Sequence, residues 1–406
     1  VFAYDIVLFA IAYGTARLAP SVSGLQIRRK HDAVLSVRAD NRIVLEVEND
    51  GDETIVGVIR DEPPPFYLSS EREFPVRLKP GTISSFSYTL SPPERGSDRF
   101  RSTFIRLECP LGLVRRQLEL DTSAPVRVYP NVLALREFDL LNQKGRLREV
   151  GIRQSRARGL GTEFESLRDY TEGDDFRKID WKASARRGRL ITRQYEQERN
   201  QCVMLCIDTG RYMLAEVDGV RKLDHVLDAI LMLTNAAALA GDFVGALVYS
   251  DVVRRYIPPR KGRSQVGAII EAIHDLMAEP IQSDDSAAFS YLASRWKRRS
   301  LVVLFTDFED ADRARQLATA FAPIAKRHLA LIVQVQDPKL DELVKHSPES
   351  LDELYRQSAA SMLLQDRAAA VKIVSSMAIH TLVAEPQQLA SKLVSHYFTV
   401  KERALL

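Results

Sequence analysis

GLGTEFESLRDYTEGDDFRKIDWKASARRGRLITRQYEQE, residues 159–198, runs into an apolar stretch, Cys202-Val203-Met204-Leu205-Cys206-Ile207, that ends in Asp208-Thr209-Gly210. The first stretch is dense in charge, yet Phe164, Leu167, Tyr170, Phe176, Ile179, Trp181, Leu190, Ile191 and Tyr195 interrupt it at short intervals. A disordered charged tail has no such anchors, because it cannot bury enough apolar surface to offset the entropy of ordering. The second stretch has the character of a strand buried on both faces. A strand finishing in a carboxylate and a glycine is how many open α/β sheets present a ligand edge.

Downstream, strands and helices alternate. A helix at 220–240 places Leu223, Val226, Leu227, Ile230, Leu231 and Leu233 on one wide apolar face and stops at Gly241. Phe243–Tyr249 is a strand, and helices follow at 264–277 and 287–297. Leu301–Phe305 is a second buried strand, again ending in Thr306-Asp307. A helix at 313–327, a strand at 329–335, a helix at 350–376, a strand at 379–383 and a helix at 387–403 complete the pattern. Such alternation predicts a mostly parallel sheet covered by helices on both faces, over 201–406. No glycine-rich phosphate turn follows the first strand and no P-loop occurs anywhere, which argues against a nucleotide site.

Upstream, residues 24–130 have a β pattern. Ile43–Val47 alternates, Asn49-Asp50-Gly51-Asp52 is a turn, and a second strand spans Thr54–Ile59 before Pro63-Pro64-Pro65. Further strands at 82–90 and 100–108 predict an immunoglobulin-like β-sandwich, a spacer or docking surface. Residues 131–158 are expected to be a basic helical connector, with Lys144, Arg146, Arg148, Arg153, Arg156 and Arg158 in its second half. Residues 1–23 are apolar up to Arg17, carry only Asp5 as a charge before it, and are followed by Arg28-Arg29-Lys30. The stretch is shorter than the roughly 20 residues that cross a bilayer, and the expectation is the remnant of a transmembrane segment with the folded domains on its cytoplasmic side.

Composition sets outer bounds. The 406 residues suffice for two or three domains, with 45% hydrophobic and 27% charged residues, as in ordinary globular protein. A net charge of +3 argues against a nucleic-acid partner. The cysteines Cys109, Cys202 and Cys206 are few and not spaced as a zinc site; two lie in the buried strand.

Gly161-Thr162-Glu163-Phe164, Leu167-Arg168-Asp169-Tyr170, Gly173-Asp174-Asp175, Ile179 to Arg186 and Arg193-Gln194-Tyr195-Glu196 together resemble the signature of the bacterial domain-of-unknown-function family 58. The resemblance implies a membrane-anchored protein with a β-rich segment followed by a von Willebrand factor A-like domain. It also implies a partner, an AAA+ ATPase of the MoxR type. In such domains the upper sheet edge commonly holds Mg²⁺ through an Asp-x-Ser-x-Ser turn, a Thr and a later Asp. Here Asp208 and Asp307 match, while Gly210 and Tyr212 stand where the two serines belong. Ser283, Asp284, Asp285 and Ser286 are further oxygen donors, and Arg211 is placed to supply an internal cation. The expectation is a degenerate metal site on Asp208 and Asp307, with no cofactor beyond weak Mg²⁺.

For the signature segment, 159–200, two readings stand. In one, Arg168, Asp174, Arg177, Asp180, Arg186 and Arg193 form ion pairs that seat it on the sheet. In the other, some of those arginines and Trp181 face outward to bind a partner, with Arg168, Asp174, Arg177, Arg186 and Arg193 as the candidate contacts. Ile179 and Trp181 share a face if the backbone is extended, so Trp181 is expected to be buried. The expected function is a non-catalytic, membrane-tethered adaptor or scaffold that works with the ATPase and a client protein. The competing class is a hydrolase using Asp174, Asp180 and Asp208. No histidine lies beside a plausible nucleophile, and Ser184 is not in a nucleophile elbow.

Overall fold

The computed structural model describes residues 2–17, 20–22, 24–108, 114–131, 163–171, 175–196, 201–308, 310–403 and 405. The chain divides into two compact units, 1–134 and 135–406.

The first unit opens with helix α1, Phe2–Arg17, on which Ile6, Phe9 and Tyr13 are exposed. At 16 residues it is about 24 Å long, short of a hydrocarbon core of about 30 Å. No helix among the described residues is long and apolar enough to cross a membrane. The rest of the unit is all β: β1 Leu25–Lys30, β2 Leu35–Ser36, β3 Asn41–Asn49, β4 Ile55–Asp61, β5 Leu68–Ser69, β6 Glu73–Leu78, β7 Thr82–Ser91, β8 Gly96–Phe100, β9 Thr103–Glu108, β10 Arg115–Leu120 and β11 Ala124–Tyr129. One sheet has the order β1-β3-β7-β5 and a second β10-β9-β4-β6, with β2-β11-β8 as a smaller third. Period-two alternation turns Ile43, Leu45 and Val47 of β3, Ile55 and Ile59 of β4, and Ile105 and Leu107 of β9 into one shared core. Asp61 is buried within it and is satisfied by Arg29 (2.6 and 3.0 Å), Tyr88 Oη (2.6 Å) and Thr103 Oγ1 (2.9 Å).

The second unit begins, in the described residues, with β12 Glu163–Asp169, helix α2 Trp181–Arg187 and β13 Ile191–Glu196; β12 and β13 pair antiparallel. Of residues 131–158, expected as the basic connector, 132–158 lie outside the described residues. Then follow β14 Cys202–Asp208, the short pair β15 Glu216–Val217 and β16 Val220–Arg221, helix α3 Lys222–Leu239, β17 Phe243–Tyr249, β18 Val253–Arg260, α4 Arg263–Ile273, α5 Asp285–Arg295, β19 Leu301–Phe305, α6 Ala311–Ala325, β20 Leu329–Val335, α7 Pro338–Lys345, α8 Leu351–Ser376, β21 His380–Ala384 and α9 Pro386–Glu402. Their main sheet has the order β18-β17-β14-β19-β20-β21, parallel throughout except for β18 at the edge.

Every residue of β14 and of β19 is buried, as expected for central strands with helices on both sides. On one face Met204, Cys206, Val302 and Leu304 pack with Phe289 of α5, Leu317 and Phe321 of α6, and Val374 of α8. On the other, Ala236 of α3 meets Val394 of α9. At the N-terminal edge of the sheet, buried Asp242 ties α9 down through Tyr397 Oη (2.5 Å) and Lys401 Nζ (2.7 Å). The antiparallel β18 was not expected from the sequence. It carries Pro258 and Pro259, which an edge strand tolerates because it needs ladder bonds on one side only.

Candidate functional site

The C-terminal edge of the main sheet gathers three buried carboxylates: Asp208 at the end of β14, Asp307 just beyond β19, and Asp285 in the first turn of α5. Each has a different set of donors. Asp208 Oδ1 accepts from Gly210 N–H (2.8 Å) and Ser283 Oγ (2.5 Å), while Oδ2 accepts from Thr306 Oγ1 (2.6 Å). None of these donors is a cation. Burial therefore raises the Asp208 pKa above the usual carboxylate value, and the three hydrogen bonds offset this only in part.

Asp307 is held by charge instead. Its Oδ2 accepts from Lys222 Nζ and Arg367 (2.8 Å), and its Oδ1 from Gln334 Nε2 (2.7 Å), Arg367 (3.0 Å) and the Phe308 amide (2.8 Å). Asp285 accepts from Tyr249 Oη (3.0 Å) and pairs with buried Arg313. Burial, together with Asp285 and Asp208, lifts the Tyr249 hydroxyl pKa well above its ordinary range. Three carboxylates thus face three cations, Lys222, Arg313 and Arg367.

The expected metal ligands Asp208 and Asp307 do lie at the C-terminal ends of two adjacent strands, β14 and β19. Their oxygens, however, are already committed to protein donors. Mg²⁺ needs about six oxygens at near-ideal octahedral geometry, and here it would have to displace two ammonium or guanidinium contacts to reach Asp307. No cluster of three His, Cys, Asp or Glu side chains able to hold a metal occurs among the described residues. The residues present do not fit the ion.

Gly210 leaves room at this turn for Ser283. A Cβ placed there would lie 2.1 Å from Ser283 Oγ and 2.9 Å from Ile281 O. Ser283, brought in from the loop before α5, fills the space that a serine at 210 would need. Arg211 does not supply the internal cation: it is exposed, and its guanidinium donates to Tyr212 Oη (3.0 Å). The Tyr212 ring lies 4.9 Å from the Arg211 guanidinium and 5.4 Å from that of buried Arg313. Lys222, Arg313 and Arg367 were not nominated from sequence. They sit on helices α3, α6 and α8, distant in the chain, and resemble solvated positions there.

The signature segment is built differently. Asp175 caps a short 3-10 turn at 176–178 by accepting from Arg177 N–H (3.0 Å), and Ile179 bridges to Thr192. Asp180 then caps α2, accepting from Ala183 N–H (3.0 Å), and Gly188 ends that helix at φ +66°. Ser184 Oγ donates to Asp180 O (2.8 Å) and accepts from Ile191 N–H (2.9 Å), locking α2 to β13. Asp180 and Ser184 are therefore structural.

Trp181 departs from expectation: it is 67% exposed, while Ile179 is buried. The Asp180 cap switches the backbone from extended to helical between them, so the two side chains no longer share a face. Phe176 is equally exposed, and Arg168, Arg177 and Arg186 all reach solvent. Arg168 donates to Thr171 Oγ1 (2.8 Å), and Arg189 pairs at the surface with Asp169 (2.9 Å). Asp174 and the side chain of Arg193 lie outside the described residues.

The family model for the protein of unknown function DUF58 matches residues 166–379, from within β12 to just before β21. The chain belongs to the DUF58 family. It is 27% identical over 187 residues to an uncharacterised protein of Mycobacterium tuberculosis (strain ATCC 25618 / H37Rv), covering 46% of this chain and 58% of that one. It is 31% identical over 126 residues to the uncharacterised protein YeaD of Bacillus subtilis (strain 168), covering 30% and 31% of the two chains. The chain thus spans less than two thirds of the length of these relatives.

Among solved structures, an aerotolerance-related membrane protein from Bacteroides fragilis matches 49% of this chain and 98% of its own, at 12% identity and a TM-score of 0.31. BatB from Bacteroides thetaiotaomicron matches 50% and 98%, at 10% identity and the same score. Scores and identities this low transfer no function.

Proposed function

We propose that this DUF58 protein is a non-catalytic adaptor. In this reading the apolar N-terminal segment tethers it to a membrane, with the folded units on the cytoplasmic side. The β unit is an immunoglobulin-like spacer. The α/β unit is a von Willebrand A-like domain whose metal site has been replaced by internal cations, and it works with a MoxR-type AAA+ ATPase and a client protein. The strand order with one antiparallel edge strand supports the domain type.

One contrast carries the reading. The acidic groups at the sheet edge are buried and fully bonded, whereas Trp181, Phe176 and the arginines Arg168, Arg177, Arg186 and Arg187 of the signature segment are exposed. Trp and Arg are the residue types that most often anchor interfaces. The hydrolase alternative is poorly served by its own residues, since Asp180 is used as a helix cap and Asp208 is closed behind three donors.

The test is co-purification from the native organism with Mg²⁺ and ATP present. Wild-type protein is expected to recover an AAA+ ATPase, and the Arg177→Glu, Arg186→Glu double variant to lose it while remaining folded. Turnover of a test substrate that disappears in Asp174→Asn would reverse the reading in favour of the hydrolase.

A further inference from the structure

Within residues 176–190 there are six basic residues, Arg177, Lys178, Lys182, Arg186, Arg187 and Arg189, and a single acidic one, Asp180. Asp180 is turned inward as the α2 cap. Arg177, Lys182, Arg186 and Arg187 are exposed and make no salt bridge with a carboxylate among the described residues. Beside them stand Trp181 and Phe176, each 67% exposed, and Leu190. Residues 176–190 thus combine exposed basic and exposed apolar side chains over a short stretch.

The same unit carries a surface of opposite character. Residues 337–356, which make α7 and the first turns of α8, hold six acidic residues (Asp337, Asp341, Glu342, Glu349, Asp352 and Glu353) against Lys339, Lys345 and Arg356. Glu342, Glu349, Asp352 and Glu353 are exposed. So are Leu343, Leu351 (71%), Leu354 and Tyr355 (69%) on the same two helices. Helix α7 has no buried residue, and α8 buries only Ala360, Ala370 and Val374. Neither helix needs these apolar side chains for its own packing.

We propose that the 176–190 surface of one copy docks on the α7–α8 surface of a second copy. The proposal rests on reading 176–190 as a docking surface and names its occupant. An anionic lipid surface would match the basic side. It would leave the exposed acidic, apolar face unexplained and would repel it. A second copy accounts for both faces at once. Opposite charge steers the encounter and sets the register, while Trp181 and Phe176 against Leu351, Leu354 and Tyr355 supply the desolvated centre that holds it. Because the two faces differ, the contact is one of unlike patches. It closes as a ring or a two-fold pair where geometry allows and extends as a chain where it does not.

The experiment is sedimentation velocity on the full chain in a non-ionic detergent, at low and at high salt. Wild-type protein is expected to self-associate at low salt and to dissociate in high salt, since exposed charges are screened beyond about 10 Å at 0.1 M. Arg177→Glu with Arg186→Glu and Arg187→Glu, and separately Glu342→Lys with Glu349→Lys, should each weaken association about a hundredfold or more, because like charges then meet. Mixing the two variants restores it, since each keeps one native face that the other's native face fits. Trp181→Ala weakens it by about thirtyfold, as expected of a central anchor. A chain that stays monomeric at all concentrations in low salt overturns the proposal, as does association indifferent to both reversals. Binding of the basic surface to phosphatidylserine vesicles by a chain that does not self-associate overturns it in favour of lipid. ATPase capture by a strictly monomeric chain, lost on reversing the arginines, also overturns it while leaving the docking-surface reading intact.

Discussion

The C-terminal edge of the main sheet and the signature segment are both crowded with charge, yet they use it in opposite ways. At the sheet edge Asp208, Asp285 and Asp307 are at most 5% exposed, and every carboxylate oxygen has a donor. In the signature segment Arg168, Arg177, Arg186, Arg187 and Trp181 are all exposed to water. A buried charge must be matched within the fold, because an unmatched one costs several kcal/mol. An exposed charge is cheap to hold and free to meet a partner. Density of charge in the sequence thus says little about role; burial decides it.

The largest loss of stability is expected at Asp307. Replacing it by alanine strands Lys222 and Arg367 beside an apolar strand end, and a broken buried pair of this kind costs about 3–5 kcal/mol. The expected outcome is a second unit that fails to fold or melts far below wild type by circular dichroism. A change of less than about 1 kcal/mol, within the range of ordinary surface pairs, would mean that the edge is wetter than described.

A smaller effect is expected at Gly210. Gly210→Ser forces a Cβ into the place of Ser283 Oγ, and overpacking of a closed site costs about 1–3 kcal/mol. Ser283→Gly, introduced together with it, frees that space and returns a hydroxyl from the other side, so the double variant should be more stable than Gly210→Ser alone. Simple additivity of the two losses would show that the sites are not sharing one space.

Asp208 offers a test by pH. Its folded pKa is raised by burial above the ordinary 3.8, so the folded state holds the proton more tightly than the unfolded chain does. The stabilising contribution is then fully present below pH 3.8 and is lost as pH rises through the folded value. Asp208→Asn keeps the acceptor for Gly210 and Ser283 and can donate to Thr306, and it has no proton to lose. The stability difference, Asn variant minus wild type, should therefore grow from acidic towards neutral pH. A flat difference would show that folding leaves the Asp208 carboxyl unperturbed, and one that shrinks across this window would show that Asp208 is stabilised as the anion.

Much of this contrast was legible in the sequence, and the part that was not has definite causes. The buried runs Cys202–Ile207 and Leu301–Phe305 marked the central strands, and the acids that end them marked the edge. Ser283 was among the oxygen donors named for the loop before α5. Its closure over Gly210 depends on a loop packing that no local pattern encodes. Lys222, Arg313 and Arg367 lie on helices whose exposed faces carry similar residues, so nothing in their spacing separates a buried cation from a solvated one. Arg211 was favoured because it is adjacent in sequence, but the turn directs it to Tyr212. Trp181 had a usable signal that the extended reading passed over. Asp180 followed by a helix-forming run to Gly188 is a capped short helix, and that changes the side-chain period at Trp181 itself.

That change makes Trp181→Ala the finest discriminator between the two regions. A buried tryptophan truncated to alanine costs about 3–5 kcal/mol, which is the scale expected at the sheet edge. At 67% exposure Trp181 makes little of its surface available to the core, and it stands at the first position of a helix whose cap, Asp180, and lock, Ser184, are untouched by the substitution. Alanine is also the best helix former. The expected change in stability is within about 0.5 kcal/mol, as for ordinary surface positions. Differential scanning calorimetry of the full chain should show the melting transition unmoved, while self-association and partner capture fall. A large loss of stability would place Trp181 under cover from a part of the chain that packs over it, and would turn the signature segment from a docking surface into a structural seam.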